Sequence, residues 1–187
     1  ALAMGGDWHD LGGALGASDD TAEPVALQPL AKIHGAGERG WAAEWIAAIL
    51  SREKVEVTPE VKEHLWSALL SLSSAPQPER TLTGLSVLLQ SQALKQALKP
   101  YAVGGPWGRL LDAEAEKLGD AAVLAFETEG LIGTGAASAV LAYLFHRIED
   151  RLDGRPTLLI VDEGWLALDD EGFAGQLREW LKTLRKK

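Results

Sequence analysis

Two adjacent carboxylates, Asp162 and Glu163, close an aliphatic run and are the residues of this sequence best suited to do chemistry. The run is Leu158-Leu159-Ile160-Val161, entered through Arg155-Pro156-Thr157 and followed by Gly164-Trp165. With no polar alternation, and with β-branched Ile160 and Val161, it is expected to form a strand buried on both faces of a parallel sheet. Such a strand delivers Asp162 and Glu163 to the C-terminal sheet edge, where ligands bind in open α/β folds. There one carboxylate can hold a magnesium ion through its water shell. A second can orient or deprotonate a water that attacks a phosphoryl group. A strand that ends in a solvated acidic turn fits the same local residues, so the pattern by itself leaves both readings open.

The elements that must position this pair are legible on its N-terminal side. Ala121-Ala122-Val123-Leu124-Ala125-Phe126-Glu127 reads as a second buried strand. A helix should follow, capped by Thr134, with Leu141, Leu144, Phe145, Ile148 and Leu152 as its apolar stripe and Gly154-Arg155-Pro156 as its stop. Strand, helix and strand of these lengths predict a βαβ unit with parallel, adjacent strands and a right-handed crossover. Glu127 would then share the edge with Asp162 and Glu163, either contributing to the site or pairing with a neighbouring loop. Beyond the acidic pair, Asp169 or Asp170 should cap a last helix with Phe173, Leu177, Trp180, Leu181 and Leu184 inward.

From residue 38 to about residue 100 the periodicity is helical throughout. Trp41, Trp45 and Ile49 fall four apart and form one packing face. Thr58-Pro59 reads as an N-cap with proline at the first helical position, and Val61, Leu65, Leu69 and Leu72 form the buried stripe that follows. Thr81 should cap one short helix, and residues 91–99 form another that Pro100 ends. The reading is an all-helical insertion. Residues 1 to about 30 mix short apolar pieces with Gly and Asp, which suits short strands and turns. His9 among Asp7 and Asp10 lacks the second spaced histidine or cysteine of a metal site, and a polar turn is the simpler account. Gly104-Gly105-Pro106-Trp107-Gly108-Arg109 is rich in turn residues but has no Gly-Lys-Ser/Thr ending, so a rigid turn presenting Trp107 is expected, with Arg109 in reach of a phosphate or a neighbouring subunit.

The chain has 187 residues, a net charge of -9 and no cysteine. That length suffices for one domain with a real core. The negative balance argues against a broad nucleic-acid surface, and direct nucleic-acid binding is not expected. A disulfide framework and thiolate metal sites are excluded. No apolar run is long enough for a membrane span, so a soluble, cytoplasmic chain is expected. Ala1 without an initiator methionine, and Lys187 within the last turn of an amphipathic helix, read as the ends of a piece of a longer polypeptide.

The run 156–168, its continuation through Phe173 and Leu177-Arg178-Glu179-Trp180-Leu181-Lys182, the Gly104-Gly105-Pro106-Trp107-Gly108 turn, Phe126-Glu127-Thr128-Glu129 and Glu38-Arg39-Gly40-Trp41 resemble the TrbE-like ATPases of conjugal transfer and type IV secretion. The resemblance implies an α/β fold: a partial RecA-like P-loop NTPase sheet over residues 1–187 with the all-helical insertion at 38–100. It implies ATP and Mg2+ as cofactors, with Asp162 as the Walker B carboxylate on magnesium and Glu163 as the catalytic glutamate. ATP hydrolysis would power assembly of a secretion channel or pilus, or substrate transfer. A homo-oligomer, in the form of a hexamer, would work with other channel components at the cytoplasmic face of the bacterial inner membrane, by peripheral association. The Gly-x-x-x-x-Gly-Lys-Ser/Thr loop of that family occurs nowhere in these residues, so the piece alone is expected to be inactive. Two alternatives stand beside the ATPase reading: a non-catalytic scaffold of the secretion apparatus, and a DNA-translocating ATPase of the same superfamily.

Overall fold

A computed structural model of the chain describes residue 3 and residues 5–13, 25–162 and 171–184. It divides into two compact units, Ala1–Leu131 and Ile132–Lys187. The architecture is mixed, helices with a small parallel sheet, and is compatible with the expected α/β class.

In the first unit the sheet has two strands, β1 (Asp7–Asp10) and β2 (Leu124–Glu127). They run parallel in the register Asp7↔Leu124, Trp8↔Ala125, His9↔Phe126, Asp10↔Glu127. Parallel strands cannot be joined by a tight turn, so the chain between them must cross over. Here the crossover contains α1 (Ala36–Arg52), α2 (Pro59–Leu72), α3 (Leu82–Leu88), α4 (Gln92–Leu98) and the one-turn α5 (Gly108–Leu111). Short 3-10 turns at Gln77–Glu79 and Lys99–Tyr101 connect them.

The helix starts follow the expected chemistry. Thr58 Oγ1 accepts from the Val61 amide, Thr81 Oγ1 from Gly84 and Ser91 Oγ from Leu94. Each satisfies a first-turn amide that has no intrahelical partner. Trp45, Ile46, Ile49 and Leu50 of α1 pack into the core with Leu65, Leu69 and Leu72 of α2. Trp41 stacks on Trp45 with ring centroids 5.6 Å apart and stays half-buried. Leu82, Leu85, Leu94, Leu98 and Tyr101 complete the core from the later helices.

Polar groups lock this unit where it lacks regular structure. Asp112, almost fully buried, accepts from the Thr83 amide at 3.0 Å, from the Thr83 hydroxyl and from the Val103 amide at 2.7 Å. One carboxylate thus ties the start of α3 to the turn before α5. Gln28, 1 % exposed, donates through Nε2 to the Gln77 carbonyl. Arg80 donates to the Ala75 and Ala31 carbonyls, fastening the segment before α1 to the loop after α2.

The second unit contains α6 (Ala137–Glu149) and α7 (Glu171–Leu184), which pack on each other. Phe145 meets Trp180 at 4.5 Å between ring centroids. Thr134 does not cap α6 with its side chain: the helix begins behind Ala136, and Thr134 instead supplies a carbonyl to the Ala137 amide. Leu181, expected inward, is 52 % exposed. Ala174 is buried and Leu177 and Trp180 half-buried, so the packed strip of α7 is narrower than its apolar stripe. Asp169 and Asp170, expected as caps, lie outside the described residues.

The largest departure concerns the aliphatic run. Residues 156–161 belong to no strand, and the sheet of the described residues is β1 with β2. Leu158 is 83 % and Ile160 78 % exposed, where burial on both faces was expected. The physical reason is that such a strand is made by its neighbours, needing paired strands at its edges and layers above and below. Those are not among the described residues of the second unit.

Candidate functional site

Asp162 sits in the turn that directly follows the exposed run, and its carboxylate is open to solvent. Glu163 lies outside the described residues. The approach to this turn is fixed by Arg155, which donates through Nε to Asp153 at 3.0 and 2.9 Å. That contact holds the Asp153 carboxyl below the usual carboxylate range and raises Arg155, the mutual stabilisation expected of an ion pair. Both groups are exposed, so the pair organises the turn locally. Gly154, between them, has a φ of +89° and supplies the left-handed residue that the turn requires.

In the first unit the C-terminal edge of the parallel sheet brings Asp10 and Glu127 into register. Asp10 Oδ1 accepts from the Gly13 amide at 2.7 Å. Glu127 Oε1 accepts from the Glu129 amide at 2.9 Å, and its carbonyl accepts from Leu11 at 3.0 Å. Of the two roles open to Glu127, pairing with its own loop is therefore present. A Cβ on Gly12 would collide with the Glu129 carbonyl, so glycine there lets the two loops close on one another. His9 stacks on Phe126 at 5.4 Å, and burial lowers its pKa against an opposing pull from Asp7. Asp10 was not singled out from the sequence. The signal that could have found it is that two apolar-and-aromatic pieces each end in a carboxylate.

The glycine-rich turn is closed to phosphate. The amides of Gly105, Trp107 and Gly108 donate to the Ala102, Pro100 and Gly105 carbonyls, so they point back into the chain. Phosphate-binding loops need such amides turned outward. A Cβ on Gly108 would collide with the Ala102 carbonyl, which accounts for glycine at that position. Trp107 packs against buried Tyr101 at 4.7 Å, and Tyr101 in turn donates to Glu53 at 3.0 Å. Arg109 is exposed on α5. Asp112, the most heavily bonded buried acid described, had no signature in the sequence.

No helix among the described residues is long and apolar enough to cross a membrane. No protein-family model matches the chain. Comparison with known proteins does find relatives along nearly its whole length. The chain is 40% identical over 190 aligned positions to a probable conjugal transfer protein TrbE of Sinorhizobium fredii (strain NBRC 101917 / NGR234), covering 99% of this chain and 28% of that protein. It is 38% identical over 187 positions to the conjugal transfer protein TrbE of Rhizobium radiobacter, covering 99% of this chain and 22% of the relative. A type IV secretion system protein virB4 of Bartonella quintana (strain Toulouse) is 26% identical over 170 positions, 88% of this chain and 22% of that protein. The chain thus spans about a quarter of the length of the curated relatives it matches. With such identity running from the β1 edge through the acidic turn, the chain belongs to the TrbE-like family of conjugal-transfer and type IV secretion proteins.

Proposed function

We propose that this chain belongs to a secretion ATPase and supplies the acidic turn at which ATP is hydrolysed, Asp162 serving magnesium and Glu163 the attacking water. The observation that carries the reading is the run Leu158–Val161: four aliphatic residues left in solvent, ending at a carboxylate pair. Exposing such residues is unfavourable by roughly 1.5 kcal/mol or more per side chain relative to full burial. In a complete RecA-like sheet the run would become a central strand, with residues 1–187 contributing to that domain and 38–100 its helical insertion. The relatives, of which this chain is about a quarter, support a longer protein of that kind.

The residues present fit the implied ion. Asp162 offers an exposed carboxylate on a turn, the hard oxygen donor that magnesium prefers to hold through its own waters. Magnesium, when bound with ATP, supplies charge neutralisation at the phosphoryl group. Glu163 follows at once in sequence, so the two carboxylates are delivered together, the second to hold and orient a water and accept its proton. The inward amides of the Gly104–Gly108 turn leave the phosphate cradle to another segment. We further propose that the whole protein works as a homo-oligomer, a hexamer, with other secretion-channel components, peripheral to the cytoplasmic face of the inner membrane.

The test is steady-state MgATP hydrolysis by a polypeptide extended to the full length of the TrbE relatives, with Glu163→Gln and Asp162→Asn beside it. Glu163→Gln is expected to lower kcat at least about a hundredfold while nucleotide still binds, as for loss of a positioned general base. Asp162→Asn is expected to raise the magnesium concentration needed for half-maximal rate. A folded, oligomeric protein that hydrolyses ATP equally with either substitution would sink the assignment. One that never hydrolyses ATP would instead make the chain a non-catalytic scaffold.

A further inference from the structure

Two exposed surfaces, one in each unit, have complementary shape and charge. The first is a groove of about 350 Å³ between α1 and α2. Its floor is Gly40, Ala43 and Leu65, one wall is Trp66, and Glu63 stands at its mouth. Trp66 is 43 % exposed, and Leu70 continues the apolar surface one turn along α2. Glu44 on the rim is paired with Lys62 at 3.4 Å, whereas Glu63 makes no hydrogen bond or ion pair among the described residues.

The glycines of α1 add an independent observation. Gly37 and Gly40 lie inside a helix of 17 residues, where glycine costs about 1 kcal/mol relative to alanine. A Cβ at either position would meet nothing within 4 Å. Packing within the chain therefore does not demand glycine there. What glycine provides is depth, leaving the groove open to a side chain from outside.

The second surface is the outward side of α7. Arg178, Leu181 and Lys182 are exposed and, being three and four apart, share one helical face. It is a cationic strip with an aliphatic centre, on a helix whose other side packs on α6. A leucine side chain fits a groove of this volume, and an arginine one turn away along the helix matches the acid at its mouth.

We propose that the outward face of α7 in one copy docks into the α1–α2 groove of a second copy, with Leu181 seated on Gly40 and Ala43 beside Trp66 and with Arg178 paired to Glu63. The contact is heterologous, groove to helix, so a pair of copies still carries one free groove and one free helix face. Repetition extends it into a ring or a filament rather than stopping at a symmetric pair. The interface goes beyond the ATPase reading and does not depend on it, because it is formed without nucleotide.

Charge reversal with rescue tests it, read by sedimentation velocity of the whole chain across protein and salt concentrations. Arg178→Glu and Glu63→Arg should each weaken self-association about tenfold, since a favourable pair becomes a repulsive one. An equimolar mixture of the two variants should restore it. The glutamate introduced on α7 of one variant then meets the arginine introduced at the groove of the other, while Arg178 and Glu63, each retained in one of the variants, meet in the next contact. Gly40→Leu fills the groove in open space without touching the core, and should abolish assembly while leaving the circular dichroism unchanged. As the chain has no cysteine, Glu63→Cys copies mixed with Arg178→Cys copies should oxidise to a crosslinked pair in which each partner carries a different substitution. A monomeric wild-type chain, assembly indifferent to both reversals, or reversals that the mixture fails to rescue would overturn the proposal. So would a crosslink confined to single chains carrying both cysteines, or an Arg178→Glu defect confined to DNA binding. Association through the exposed 158–161 run would survive the reversals, and is told apart on that basis.

Discussion

Asp112 shows how much of this chain depends on single polar side chains. Its carboxylate receives the Thr83 amide, the Thr83 hydroxyl and the Val103 amide in an almost fully buried position. Removing it strands three donors, and an unmade buried hydrogen bond costs about 1–3 kcal/mol. Asp112→Ala should therefore lower stability by about 3 kcal/mol or more, read as a fall in the urea midpoint. Asp112→Asn, which keeps one acceptor oxygen, should cost less. His9 gives a pH dependence. Its burial beside Phe126 lowers its pKa in the folded state, so the unfolded chain binds a proton first as pH falls. The contribution of neutral His9 is complete above about pH 6.5, the ordinary value for histidine, and is lost as pH drops through the lowered folded value. Urea midpoints should thus decline below about pH 6.5, and His9→Phe, which keeps an aromatic ring against Phe126, should flatten that part of the profile.

At the scale of elements, the helices were readable because their signals are local. Thr58, Thr81 and Ser91 make the first-turn bonds that their type and position call for. Thr58→Ala should cost about 1 kcal/mol, as N-cap losses usually do, with the unfolding slope against denaturant unchanged. Gly37→Ala should act in the opposite direction, stabilising α1 by about 0.5–1 kcal/mol because its space is open and the groove floor at Gly40 is untouched. Thermal unfolding of the single variants separates the two. Thr134 marks the limit of such reading. A hydroxyl near a helix start is a cap only if the backbone places it there, and α6 begins three residues later behind Ala136.

For the whole molecule, the exposed run Leu158–Val161 sets the behaviour to expect. An uncovered aliphatic segment invites pairing with other chains. Ile160→Lys should make the 187-residue chain more soluble, measured as a higher concentration at the onset of light scattering. In a polypeptide of the relatives' full length the same substitution should be strongly destabilising if the run becomes a central strand, because a charge would then be buried without a partner. Equal tolerance in both lengths would count against the RecA-like reading of this segment.

What the residues determined by themselves was whatever rests on near neighbours in the chain: helical periods from 38 to 100, the caps, the second strand ending at Glu127, and the adjacency of Asp162 to Glu163. The family likeness was legible for the same reason, since it rides on short blocks whose order is kept along the chain. Only the tertiary structure decided that β2 pairs in parallel with β1, bringing Asp10 level with Glu127. It alone placed Asp112 between Thr83 and Val103, turned the Gly104–Gly108 amides inward and left Leu181 on the surface. Strand partners and burial depend on residues far apart in sequence, and a run such as 158–161 carries its apolar character wherever it goes but not the neighbours that would cover it.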